Sequence, residues 1–181
     1  MADSFKPLAW FFAVLAAVGL TLSILSHFAA LLGLQGALGD YAWVLHVGIF
    51  VVWVPAVLVS QRLTAYFARK DFWKAALRGS PPWMRCMVYG FFGYALLNFA
   101  LFIMRAPLKG ESGAMPSTVV RGFSGHWMAF YAAALAILYS AAHVKDLDAS
   151  RTCLNGHAVG PLAQFCERCG QLVENAPENR R

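Results

Sequence analysis

Four stretches of the chain contain no Asp, Glu, Lys or Arg. They cover residues 7–39, 41–61, 86–104 and 122–144. A helix rising about 1.5 Å per residue needs about 20 mostly apolar residues to cross the hydrocarbon core of a bilayer, and every stretch is of that order or longer. Strands of a membrane barrel would be about 10 residues of alternating polarity, and none of the four alternates. Composition agrees. Hydrophobic residues make up 59% and charged residues 13% of the 181 residues, against about 25% charged in soluble domains. So few charges cannot cover a surface in water, which argues against a soluble enzyme and against a disordered chain. The expected fold is an all-α membrane protein. It is an antiparallel four-helix transmembrane bundle over residues 1–146, with helices near 8–34, 41–61, 83–104 and 123–144, followed by a tail over 147–181. The first apolar run, Leu8 to Leu34, is longer than a signal-peptide core and only Lys6 precedes it, so it reads as a retained signal anchor.

Lys and Arg in short loops set orientation. The segment 62–85 carries Arg62, Arg69, Lys70, Lys74, Arg78 and Arg85 against Asp71 alone, whereas 105–121 carries Arg105, Lys109 and Arg121. The 62–85 loop is expected in the cytoplasm, and an even number of crossings puts both termini there, in a multi-pass protein of the plasma (inner) membrane. The basic balance is then a topology signal. Within this loop, Gly79-Ser80-Pro81-Pro82 should start the third spanning helix, since proline suits a first helical turn. Leu63 to Leu77 reads either as an interfacial amphipathic helix, with Leu63, Tyr66, Phe67, Trp73 and Leu77 on one side, or as a continuation of the second helix.

The tail holds three of the four cysteines in the pattern Cys153-x3-His157-x8-Cys166-x2-Cys169, while Cys86 opens the third spanning helix. Three thiolates and one imidazole complete a tetrahedral zinc shell. Asn155-Gly156 and Gly170 supply turns beside the ligands, and Gly160-Pro161 sits midway as a hairpin turn would. In a reducing cytoplasm, disulfides would leave His157 without a role. The segment CLNGHAVGPLAQFCERCGQLV, residues 153–173, resembles the short zinc ribbons of bacterial and archaeal proteins, with their C-x-N-G-H and F-C-x-x-C-G knuckles. The resemblance implies a zinc ribbon with Cys153, His157, Cys166 and Cys169 as metal ligands, although many ribbons carry Cys where His157 stands. A zinc with four protein ligands and no open position is structural. Nucleic-acid binding needs excess positive charge. The tail from Lys145 to Arg181 balances five basic residues against five acidic ones, which argues against nucleic acid and for a protein partner.

Ionisable groups within spans carry functional suspicion. His27, His46 and His126 fall near the outer ends of three helices, and His143 falls at the inner end of the fourth. Small residues form stripes beside them: His126, Ala129, Ala133, Ala136, Ser140 and His143; Cys86, Gly90, Gly93 and Ala100; and Ala16, Gly19, Ser23, Ser26, His27 and Ala30. Such stripes allow close helix approach, so these faces are expected inside the bundle. Asn98 and Pro55 read as packing features. Ser124 is expected to cap the fourth helix. It lies two residues from His126, but no acid or nucleophile elbow accompanies the pair, so no catalytic residue is assigned.

The leading functional expectation is a non-enzymatic membrane adaptor or regulator. Its bundle packs with itself or another membrane protein, and its zinc ribbon docks a cytoplasmic one. A second reading is an electron carrier holding haem b or a second metal between His46 and His126, with His27 as a further ligand. A small transporter is the third and weakest.

Overall fold

The computed structural model describes residues 2–34, 38–65, 67, 69–105, 117–144, 151–159, 163 and 165–173. Helix α1 covers Ala2–Leu31 and α2 covers Leu38–Thr64; a 3-10 turn at Arg69–Asp71 runs into the short α3 (Phe72–Ala76). Two long helices follow, α4 (Pro82–Arg105) and α5 (Ser117–His143), and then two-residue strands β1 (Arg151–Thr152) and β2 (Ala158–Val159).

The helix ends have local causes. α1 stops at Leu31, short of Leu34, because Gly33 adopts φ 69° and turns the chain back. Leu34 N–H then donates to Ala29 O at 2.9 Å and Gly33 N–H to Ala30 O at 3.4 Å, a Schellman closure. α4 starts at Pro82, as its Pro-Pro pair leads one to expect. α5 starts at Ser117, well before the charge-free boundary at Arg121. A helix can begin outside the apolar layer, so a charge marks the layer's edge and not the helix end. Ser124 is therefore inside α5 and not its cap.

Among the described residues, three segments are long and apolar enough to cross a membrane: Lys6–Leu31, Ala42–Thr64 and Pro82–Met104, with mean hydropathies of 2.3, 2.3 and 1.8. α5, expected as a fourth, has comparable length but is more polar, and its place in the packing explains this. α1, α2 and α4 all pack on α5, which is the main neighbour of α4, and Tyr94 of α4 also reaches His27 of α1. Ala132, Ala134, Ala136 and Leu138 are all fully buried. Successive members of that set are about 200° apart around the axis, so opposite faces of α5 are both covered. A helix enclosed by its neighbours has no broad face to present to lipid and can carry Ser124, His126, Tyr131 and Ser140.

The long helices alternate in direction. At one end Trp10 of α1 lies against Tyr139 and His143 of α5, with centroids 5.8 and 5.6 Å apart. At the same end Ser80 Oγ donates to Ala136 O at 2.7 Å and Ser140 Oγ accepts from Gly79 N–H at 2.9 Å. This is the end with the basic 62–85 loop. That loop is not one amphipathic helix: α2 ends at Thr64 and α3 is a separate single turn. Tyr66, on the expected apolar side, lies outside the described residues. Leu63, Ala75, Ala76 and Leu77 are buried, so α3 plugs the bundle end. Arg78 donates to Leu63 O and Ala75 O, and Arg85 donates to Ser80 O and Arg78 O. Guanidinium groups thus satisfy carbonyls that helix and turn ends leave open.

Toward the far end, Tyr131 of α5 wedges between α1 and α2. Its hydroxyl donates to Leu45 O at 2.8 Å. A Cβ on Gly19 would lie 2.5 Å from the ring's Cδ1 and Cζ, and one on Gly48 would lie 2.5 Å from the hydroxyl oxygen. Both glycines exist to admit this ring.

One small-residue stripe does not face inward. Cys86, Gly90, Gly93 and Ala100 are exposed, and a Cβ at Gly90 or Gly93 would meet no atom within 4 Å. α4 instead turns Met84, Val88, Ala95 and Asn98 inward, and Asn98 Nδ2 donates to Arg121 O at 2.7 Å and Gly122 O at 3.1 Å of α5. Small residues permit close approach without dictating which neighbour uses it. The α1 stripe does face inward, with Ala16, Ser23, His27 and Ala30 buried.

Candidate metal centre

Two tight turns build the tail site. In the first, Cys153 N–H donates to His157 O at 3.0 Å and Gly156 N–H to Cys153 O at 2.8 Å, with Gly156 at φ 75°. β1 and β2 extend this hairpin, pairing Arg151 with Val159 and Thr152 with Ala158. In the second, Cys166 N–H donates to Gln171 O and Gly170 N–H to Cys166 O, both at 2.8 Å, with Gly170 at φ 70°. Phe165 and Leu172 bridge beside it. A residue with a Cβ would be strained at either glycine, and the turn each one closes aims its flanking ligands at a common point. The turn expected at Gly160-Pro161 lies outside the described residues.

The ligand atoms of Cys153, His157, Cys166 and Cys169 all lie within 4.8 Å of one another. Zinc bonds of about 2.3 Å to sulfur and 2.0–2.1 Å to nitrogen, held tetrahedrally, require S···S edges of about 3.8 Å and S···N edges of about 3.6 Å. Cys153 Sγ lies 3.7 Å from Cys169 Sγ and 3.6 Å from His157 Nδ1, and Cys166 Sγ lies 3.7 Å from the same Nδ1. The four residues therefore fit a tetrahedral zinc through Nδ1 of the imidazole. All the cysteines are free thiols. Cys153, Cys166 and Val173 form a small buried cluster that anchors the two turns to each other. Burial works against the Cys166 thiolate, but N–H groups of Arg168 and Cys169 and the sulfurs of Cys169 and Cys153 outweigh it and bring the thiol down to about 6. At Cys169 the Gln171 N–H favours the thiolate, yet burial and the Cys166 and Cys153 sulfurs hold this thiol above its ordinary range.

The histidines of the helices are placed differently. His27, His46 and His126 meet α5 at one level, around Ser124 to Trp127, but on separate sides. His27 is buried between Ser124 Oγ, 2.7 Å from its Nδ1, and Tyr94 OH, 2.5 Å from its Nε2. His46 Nδ1 accepts from Trp127 Nε1 at 3.1 Å. The Phe123 ring lies beside both His46 and His126, at 6.2 Å between centroids in each case. His126 also meets Phe99 edge-on at 4.9 Å. Among the described residues, the tail cluster is the one group of three or more His, Cys, Asp or Glu whose ligand atoms converge. His143 stacks on Tyr139 at the opposite end, 3.9 Å between centroids. The Ser124–His27–Tyr94 link was not legible from sequence. Ser124 and His126 are neighbours in the chain but about 200° apart around α5, so Ser124 turns to α1 and not to its apparent partner.

No protein-family model matches the chain, and no curated protein or solved structure matches it either.

Proposed function

We propose that the chain is a membrane-anchored adaptor. Its four long helices cross the plasma membrane, both termini are cytoplasmic, and the tail carries a structural zinc that shapes a docking surface for a cytoplasmic protein. The observation that supports this most is the closed four-ligand geometry of Cys153, His157, Cys166 and Cys169, which leaves no coordination position for a reactant. α5 serves as the fourth crossing because α1, α2 and α4 shield it, and the basic 62–85 loop lies inside by the positive-inside bias. The balanced charge of the tail favours a protein surface over nucleic acid. Phe123 beside both His46 and His126, and the hydrogen bonds already made by His27 and His46, give the haem reading no support.

The test is one purification. Membranes washed in alkaline carbonate should retain the chain, and the detergent-purified protein should be colourless with about one zinc per chain. A Soret band lost on His46→Ala or His126→Ala would establish the electron carrier instead.

A further inference from the structure

α1 and α2 both lean on α5 and share less contact with each other. Between them lies a recess of about 520 Å³, floored by Leu138 of α5. Leu8 and Phe12 of α1 and Pro55 and Leu58 of α2 form its walls, and Gln61 and Arg62 of α2 also line it. Gln61 and Arg62 are exposed, as are Leu8 and Leu58, so polar and apolar groups alike are open to an occupant. The recess has a direction. Arg62 is in the last turn of α2, where the basic 62–85 loop begins. At about 1.5 Å per residue, Pro55 lies roughly 10 Å deeper along the axis.

We propose that this recess binds one anionic phospholipid of the inner leaflet, with its phosphate on Arg62 and Gln61 and an acyl chain along Leu8, Phe12 and Leu58. The order of the groups selects the occupant. A cation at headgroup depth followed by an apolar slot repeats the order of charge and hydrocarbon along a phospholipid. Basic pockets between helices on the cytoplasmic side hold anionic headgroups in this way. The Arg62 guanidinium offers phosphate a bidentate partner, and the Gln61 amide adds N–H donors. The surroundings favour negative charge as well: Arg69, Lys70, Lys74, Arg78 and Arg85 stand against one acid, Asp71, in the same loop. That balance disfavours a second copy of the chain, which would bring another positive loop to the same level. A soluble anion would leave the apolar slot unfilled, and an uncharged lipid would forgo the attraction of the loop. The site depends on the membrane reading above, in which Arg62 lies at the inner surface, and is independent of the zinc ribbon's role.

The experiment titrates the full chain, purified in a mild detergent, with dioleoylphosphatidylglycerol or dioleoylphosphatidylcholine and counts bound lipids by native mass spectrometry. The first phosphatidylglycerol should bind more tightly than the first phosphatidylcholine. Arg62→Gln should weaken that first binding about tenfold, as loss of one charge-assisted contact implies, and Arg62→Lys should recover part of it. Lys74→Gln removes the same charge outside the recess and should weaken it by less than about twofold, since salt screens a distant exposed charge. Ala9→Leu, or Leu58→Trp should the first not fold, should narrow the slot and weaken binding with no change of charge. Melting temperatures identify variants that fail to fold. Equal affinity for the two lipids in wild type would overturn the proposal, and so would equal losses in Arg62→Gln and Lys74→Gln. Glycerol 1-phosphate displacing the lipid at equal concentration would overturn it in favour of a bare anion site. A dimer in place of a lipid adduct, lost in Ala9→Leu, would overturn it in favour of an interface between copies. Such failures in a chain that alkaline carbonate leaves in the membrane count against the recess alone, whereas release by carbonate counts against the membrane reading.

Discussion

The Tyr131 wedge makes a quantitative prediction in which two similar substitutions behave differently. Gly48→Ala would place its methyl 2.5 Å from the Tyr131 hydroxyl oxygen, but the next atom, Cζ, is 3.7 Å away, an ordinary contact. Gly19→Ala would place its methyl 2.5 Å from Cδ1 and Cζ of the same ring. Each alone overpacks a tight interface and should cost about 1–3 kcal/mol. Tyr131→Phe alone removes the hydrogen bond to Leu45 O, about 0.5–1.5 kcal/mol. Phenylalanine also deletes the one atom that obstructs Gly48→Ala while leaving those that obstruct Gly19→Ala. The pair Gly48→Ala/Tyr131→Phe should therefore be more stable than the sum of its single effects by about 1 kcal/mol or more, and Gly19→Ala/Tyr131→Phe should be close to additive. Unfolding of the six purified proteins in mixed micelles by rising SDS supplies the four free energies of each cycle. Additivity in the first cycle, or rescue in the second, would refute the wedge geometry.

Three further outcomes follow from the sites. Cys166→Ser should reduce bound zinc from about one per chain to well below one, read by atomic emission after dialysis, and should leave the helical circular dichroism unchanged. Acidification should release zinc. The folded Cys166 thiol is lowered to about 6 from 9.0, so its contribution to ribbon stability is present above the unfolded value and lost as pH falls through about 6. The metal leaves in the same direction because only thiolates bind it. Release to a chromogenic chelator that does not change between neutral and acidic pH would contradict this. His27→Leu should cost about 1–3 kcal/mol by leaving the Ser124 and Tyr94 hydroxyls without their imidazole, whereas a loss below about 0.5 kcal/mol in the SDS assay would show that this link carries no weight.

What the sequence revealed and what it hid have physical causes. The convergence of Cys153, His157, Cys166 and Cys169 was readable because each pair sits within one turn, where spacing and a glycine fix the geometry locally. The long helices were readable because lipid-length apolar runs require nothing tertiary. Helix ends were read less well: Gly33 stopped α1 early, and Arg121 hid the first turn of α5. Partner choice was not readable at all. Gly90 and Gly93 resemble an interface but face outward, while Gly19 and Gly48 gain meaning only from a tyrosine on a third helix. His27, His46 and His126 lie near one level of α5, but what surrounds each, a serine and a tyrosine, a tryptophan with Phe123, and Phe99 with the same Phe123, depends on rotation about each helix.

Everything proposed for the ribbon depends on its lying on the side of the membrane where Arg62, Arg78 and Arg85 lie. Paired fusions placed after Arg181, one to green fluorescent protein and one to alkaline phosphatase, measure this directly. The account predicts a fluorescent first fusion and an inactive second. An active phosphatase with a dark fluorescent partner would contradict it, because the tail would then lie outside the cytoplasm.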